Sequence, residues 1–140
     1  MKITVERQVA APVEAVWRAW TTPEDIVLWN AASDDWHTTS ASVDLRVGGG
    51  FRSRMEAKDG SMGFDFEGTY TTIEPTRLIE AAFGDRTLRV EFVPGPDGTL
   101  VRETFDAEDE FPVEQQRAGW QAILERFARH VEQGRRTPGA

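Results

Sequence analysis

Phe64–Phe83 reads FDFEGTYTTIEPTRLIEAAF, and this stretch decides the fold. Phe64 to Ile73 and Arg77 to Phe83 are strand-like runs rich in aromatic and β-branched residues, separated by a turn signal at Glu74-Pro75. A connection that short joins antiparallel neighbours, because a parallel crossover needs about a dozen residues or more. The same rhythm spreads outward from this hairpin. Upstream lie Ser42 to Val47 before Gly48-Gly49-Gly50, and Phe51 to Ala57 before Lys58-Asp59-Gly60. Downstream, Gly84-Asp85 leads into Arg86 to Val93, and Pro94-Gly95-Pro96-Asp97-Gly98 leads into Thr99 to Phe105. From about Thr38 to Ala107 the chain is therefore expected to form a six-stranded antiparallel meander.

The flanks supply what covers that sheet. Ile3, Val5 and Val9 alternate with Thr4, Glu6 and Gln8, the period of a half-buried strand, with Arg7 on the apolar side. Pro12 stands where a first helical residue can be, and Val13, Val16, Trp17 and Trp20 follow on one helical stripe. Thr22-Pro23-Glu24-Asp25 signals a second short helix, with a hydroxyl cap, a proline in the first turn and acids at the positive helix end; Leu28 and Trp29 close it. After the acidic run Asp106 to Glu110, a long helix begins near Pro112 and sets Val113, Trp120, Ile123, Leu124, Phe127 and Val131 on one stripe. The expected fold is α+β: a curved antiparallel sheet of about seven strands wrapped around a long C-terminal helix, with two short helices after strand 1. Residues 1–133 are expected to make one domain and 134–140, GRRTPGA, a flexible tail. A concave sheet gripping one helix leaves space between them, so a pocket is expected from packing alone.

Composition narrows the function classes. In 140 residues the chain carries 39% apolar and 29% charged side chains, five Trp and eight Phe, enough to build one ordinary core. The absence of Cys removes disulfides, thiolate metal sites and cysteine nucleophiles. A net charge of −8 repels polyphosphate backbones and anionic lipid surfaces, so neither nucleic acid nor membrane is an expected partner. The opening MKITVERQVAAP has no apolar leader core, and no run approaches the ~20 apolar residues that span a bilayer; the expected location is cytoplasmic.

Three segments resemble a known family. Ala11-Pro12 with Val16-Trp17, Trp20-Thr21, Pro23 and Trp29 resembles the N-terminal signature of START-like proteins of the Hsp90-ATPase-activator-homology type. Asp44-Leu45-Arg46-Val47-Gly48-Gly49 with Phe51 resembles that group's sheet motif, and Gly119-Trp120-Gln121 with Leu124 its final helix. The resemblance runs from about Ile3 to Val131. It implies a helix-grip fold with a cavity between sheet and C-terminal helix, in a superfamily that binds apolar or aromatic small molecules. Some members are polyketide cyclases or dehydratases. Others resemble the Hsp90 co-chaperone, with its stress-response setting, but that protein carries a further N-terminal domain for which this length leaves no room. The motifs mark the scaffold and bring over no catalytic set.

Individual residues are weighed against plainer roles. Gly48-Gly49-Gly50 lacks a following Lys-Ser or Lys-Thr and precedes a strand, so it reads as a hairpin turn rather than a phosphate cradle. Trp17 and Trp20 read as core or helix-to-sheet contacts. Trp29 and Trp36 border Asn30 to His37, which reads as a loop over the mouth of the grip, and so are candidate pocket walls. Trp120 faces the sheet from mid-stripe. His37 and His130 are the only imidazoles; they lack the converging ligands a metal needs, and no metal or cofactor is expected. His130 suits a helix C-terminus. Asp106 to Glu110 reads as a solvated run at a helix start.

The sharper signal is polar residues in apolar phase. Arg7 shares parity with Ile3, Val5 and Val9, and Glu103 with Val101 and Phe105. Their strands are neighbours in the implied fold, so the two side chains are expected to meet as an ion pair lining the cavity, since burying either alone costs several kcal/mol. The competing possibilities are a bulge that breaks parity or side chains that snorkel outward. Arg117, four residues after Val113, is expected at the pocket mouth. The candidate ligand-binding residues are Arg7, Trp29, Trp36, Phe64, Phe66, Glu103, Arg117, Trp120 and Leu124; the candidates for proton transfer are Glu103 and His37. The leading reading is a non-enzymatic module for an apolar or aromatic small molecule, monomeric or weakly dimeric. The alternatives are an aromatic cyclase, dehydratase or hydrolase in the same cavity, and a module that docks on a chaperone and stimulates its ATPase.

Overall fold

β1 (Lys2–Val9) opens the chain with the expected alternation, burying Ile3, Val5 and Val9 and leaving Thr4, Glu6 and Gln8 outside. The computed structural model describes the backbone of residues 1–136 and the side chains of residues 1–134. Two short helices follow, α1 (Val13–Thr21) and α2 (Pro23–Trp29). Pro23 occupies the first turn of α2, but the Thr22 hydroxyl makes no capping hydrogen bond there. Six strands come next: β2 (Trp36–Val43), β3 (Gly50–Ala57), β4 (Gly63–Glu74), β5 (Leu78–Phe83), β6 (Arg86–Gly95) and β7 (Gly98–Asp106). The helix α3 (Val113–Arg136) completes the chain; it runs past Gly134, where sequence composition placed a frayed tail, while residues 137–140 lie outside the described part.

Strand order is β1-β7-β6-β5-β4-β3-β2, antiparallel throughout. The meander is as expected, and β1 closes onto β7 with Val5 opposite Glu103 and Arg7 opposite Val101. Gly98 makes that closure possible. It sits at φ +130°, and a Cβ there would lie 2.1 Å from the Val9 carbonyl oxygen, so only glycine lets β7 start this close to the end of β1. Register shifts between Thr38 and Ser40 and between Tyr70 and Thr72 bend the sheet.

One strand lies elsewhere than its sequence suggests. The expected Ser42 to Val47 strand is instead β2, six residues earlier at its start, and Asp44–Gly49 is the connection to β3. The expected loop Asn30 to His37 accordingly ends at Asp35. The cause is composition: WHTTSASV carries no apolar alternation, because β2 is an edge strand, largely exposed, whose bulge at Thr38/Ser40 interrupts the period of two. Within the connection Gly48 adopts φ +86°, and the Gly48 and Tyr70 amides donate to the Tyr70 and Gly49 carbonyls, a backbone turn against β4.

The core is asymmetric. α3 lies along β1, and α2 covers β2 at the opposite edge. Beneath α3, Leu124 and Phe127 pack with Ile3, Val9, Val101 and Phe105, all shielded from water. Each such side chain contributes about 1.5–3 kcal/mol by burial, which is what seats the helix. The middle strands lie between the two covered edges, with neither helix pressed onto them.

Candidate functional site

That uncovered middle is a cavity of about 330 Å³, partly open to solvent. Its sheet wall is built by period-two triplets: Phe51, Ser53 and Met55 on β3, Ile79, Ala81 and Phe83 on β5, and Arg86, Leu88 and Val90 on β6. Phe64, Phe66 and Tyr70 come from β4, Trp20 from α1, Ile26 and Trp29 from α2, and Gln116, Trp120 and Ile123 from α3. The rings brace one another. Phe51 lies 5.6 Å from Phe66 and 5.3 Å from Tyr70, and Phe66 meets Phe83 and Trp120 edge-on. Gly68 is part of this arrangement, because a Cβ there would come within 2.8 Å of the Phe51 ring.

Three indoles form the helix side of the wall. Trp29 closes α2, as its sequence suggests, and its Nε1 donates to the Ala19 carbonyl at 3.0 Å. Trp20 packs against it at 5.1 Å, and Phe127 backs both rings edge-on at 4.9 Å. Trp120 stacks on Phe105 with centroids 3.8 Å apart. The expectation that Trp20 serves the core thus captures half its role, since it also faces the cavity.

Glu103 is the exceptional residue. β7 alternates without a break, burying Thr99, Val101, Glu103 and Phe105. The Glu103 side chain therefore enters an apolar row, flanked across the sheet by Val5 and Val90, and it lines the cavity. Only 4% of it is accessible, and it has neither a hydrogen bond nor an ion pair among the described residues. Burial alone pushes its carboxyl up to about 8, so it is mostly a neutral acid at pH 7.

The expected Arg7–Glu103 ion pair does not form. Arg7 does point to the helix side of β1, but there it meets α3: its Nε donates to Glu125 at 2.9 Å, and Nη1 lies 3.4 Å from Glu132. Arg117 is likewise absent from the cavity, donating to the Thr4 carbonyl at 3.1 Å and lying 3.5 Å from Glu114. Leu124 is in the sealed core beneath α3, and Trp36 stands half-buried beside Phe64 outside the cavity wall. His37 is exposed on β2, away from the cavity. His130 bridges to Asp25 of α2 at 2.9 Å, a tertiary tie rather than a purely local one. Of the candidate residues, the fold brings together Trp29, Phe64, Phe66, Glu103 and Trp120.

The acidic run is also more structured than a solvated loop. Asp106 accepts from Lys2 at 2.7 Å and from Thr87, which hold its carboxyl down at about 2. Glu108 reaches the cavity, where it lies 3.7 Å from Arg86. Arg86 donates twice to the Asp106 carbonyl and lies 4.6 Å above the Phe83 ring, so its donors are engaged. Gln116 closes this corner, bonding the Glu108 amide and the Glu108 and Phe111 carbonyls. Arg86, Glu108, Gln116 and Tyr70 escaped the sequence reading; the signal for Arg86 was its parity with Leu88 and Val90.

A family model described as activator of Hsp90 ATPase homolog 1-like protein matches residues 10–132. The chain belongs to that family. Solved structures match most of the chain. The solution structure of the AHSA1-like protein from Aeromonas hydrophila is 49% identical, with a TM-score of 0.91, covering 100% of this chain and 98% of that one. A protein from Cytophaga hutchinsonii is 44% identical, with a TM-score of 0.82 and coverage of 99% and 97%. A protein from Chromobacterium violaceum is 26% identical, with a TM-score of 0.85 and coverage of 94% and 98%. No curated protein matches. Among the described residues, this member of the family has no helix long and apolar enough to cross a membrane.

Proposed function

We propose that the protein is a small-molecule-binding member of its family, acting in the cytoplasm on a ligand with an apolar or aromatic body and one polar group. The observation that carries this reading is the contrast within one core: the seam under α3 is sealed, while the neighbouring space of about 330 Å³ is walled by aromatic rings. Leaving so much apolar wall unpacked forfeits stabilisation that a filled core would provide, and a pocket of this size and lining suits a compact aromatic guest. The neutral fluorophore N-phenyl-1-naphthylamine is expected to bind saturably with a micromolar constant. Ala81→Phe, which fills the space from β5, is expected to weaken it ~10-fold or more. Absence of saturable binding by the natural chain overturns the reading.

One observation favours a second reading in the same cavity. A carboxyl that stays protonated at neutral pH is a general acid, and Glu103 is the residue to perform a dehydration, cyclisation or hydrolysis there. Glu103→Gln is then expected to abolish turnover of an aromatic polyketide-like substrate while fluorophore binding survives; undiminished turnover removes this role. The chaperone-stimulating alternative draws on the family's name alone.

A further inference from the structure

Glu103 is buried, unpartnered and aimed into a cavity whose remaining charges cancel. The ionisable groups that line the cavity are Glu103 from β7, Tyr70 from β4, Arg86 from β6 and Glu108 from the segment before α3; no other lining residue titrates. Arg86 and Glu108 lie 3.7 Å apart, and Arg86 is further occupied by the Asp106 carbonyl and the Phe83 ring. Ionising Glu103 therefore leaves the cavity with one uncompensated negative charge. Eight aromatic rings are among the residues that line this space, and aromatic rings attract cations. The chain as a whole carries −8, which raises the local concentration of cations and opposes anions.

From this arrangement we infer that the ligand is an organic monocation, an aromatic or alicyclic body bearing a protonated amine that pairs with Glu103. The inference rests on the reading of the cavity as a ligand site and adds the charge of the ligand. The cation supplies what the fold withholds: a partner for a carboxylate that has none, with the apolar body against the aromatic wall. Binding and ionisation are then linked. Glu103 starts mostly neutral at pH 6.5, because burial raises its carboxyl to about 8, and it gives up its proton to solvent as the ammonium group arrives. The amine enters protonated and stays so, and about one proton per ligand is released.

Three probes of one shape separate the possibilities: 2-(2-naphthyl)ethylamine, the corresponding alcohol, and 2-naphthylacetate. Calorimetric titration of the full chain at pH 6.5, in buffers of different ionisation enthalpy, is expected to show the amine binding at least tenfold tighter than the alcohol and the acetate weakest. It is also expected to show release of about one proton with the amine and none with the alcohol. Glu103→Gln is expected to remove the amine preference and the proton release while leaving the alcohol's affinity within about threefold, which also verifies that the variant is folded. An alcohol or acetate that binds as tightly as the amine, or amine binding without proton release by the natural chain, overturns the inference and leaves the cavity reading standing. Failure of all three probes and of the neutral fluorophore overturns the cavity reading itself, and this inference with it.

Discussion

Arg7 and Glu103 occupy equivalent situations in the strand pattern and opposite ones in space. Both are polar residues in the apolar phase of adjacent strands, two steps apart in register. Arg7, at the outer strand, lies under the flank of α3, where Glu125 and Glu132 reach it while 28% of the side chain stays in water. Glu103, one strand further in, projects past the helix into the aromatic cavity and finds neither a charge nor a donor. A charge at the rim can be satisfied by long side chains from a neighbouring helix. A charge one strand inward is beyond their reach, so its cost persists in the folded state. The first arrangement adds modestly to stability; the second costs stability wherever the carboxyl must ionise.

Acid–base titration of stability tests this contrast with the largest effect. Glu103 has its folded value raised from about 4.5 to about 8, so the folded state keeps a proton the unfolded chain has released. Stability from this group is complete below about 4.5 and declines as pH rises to about 8, at ~1.4 kcal/mol per pH unit. Glu125 behaves oppositely. The hydrogen bond from Arg7 lowers its value, so its contribution is present above the ordinary carboxylate range and is lost as pH falls through the depressed value. Urea denaturation across pH is therefore expected to show these two groups placing the maximum on the acidic side of neutrality. Glu103→Gln should remove the alkaline-side decline. A natural chain as stable at pH 8 as at pH 5 would mean that Glu103 is partnered.

A smaller effect comes from the rim. Arg7→Met keeps the apolar stem and removes the charge, and is expected to cost about 1 kcal/mol, because the ion pair is partly hydrated. That loss should shrink in ~1 M salt, where exposed pairs are screened, whereas the effect of Glu103→Gln at pH 8 should not. Equal salt sensitivity at both sites would erase the distinction between them.

Much of the architecture was legible in the chain. β1, β3 to β7 and all three helices stand close to where alternation, helical stripes and turn residues put them, because each buries one continuous face. β2 was misplaced because an exposed edge strand has no buried face to write into its sequence, and a bulge blurs what period remains. In the candidate site, parity correctly set Glu103 inward on β7, Trp120 was found by its place on the α3 stripe, and Trp29 by its position at the end of a helix beside the loop that follows. Arg117 and Leu124 share a helix with Trp120 yet miss the cavity, since a helix stripe is wider than the opening it faces. Arg86 shared the parity of Leu88 and Val90, but its meeting with Glu108 was invisible because it joins the two ends of the β6–β7 hairpin, and no local period encodes that contact.

The sequence by itself determined the order of elements, their antiparallel pairing and, for the strands with a buried face such as β1 and β7, which side turns inward, all consequences of short-range periodicity and turn chemistry. Only the tertiary structure decided who meets whom across that interior. The placement of α3 along β1 rather than over the sheet's centre gave Arg7 its carboxylates, left Glu103 without a partner and kept the middle of the grip hollow, because contact depends on the lateral position of a packed helix and not on the parity of a strand.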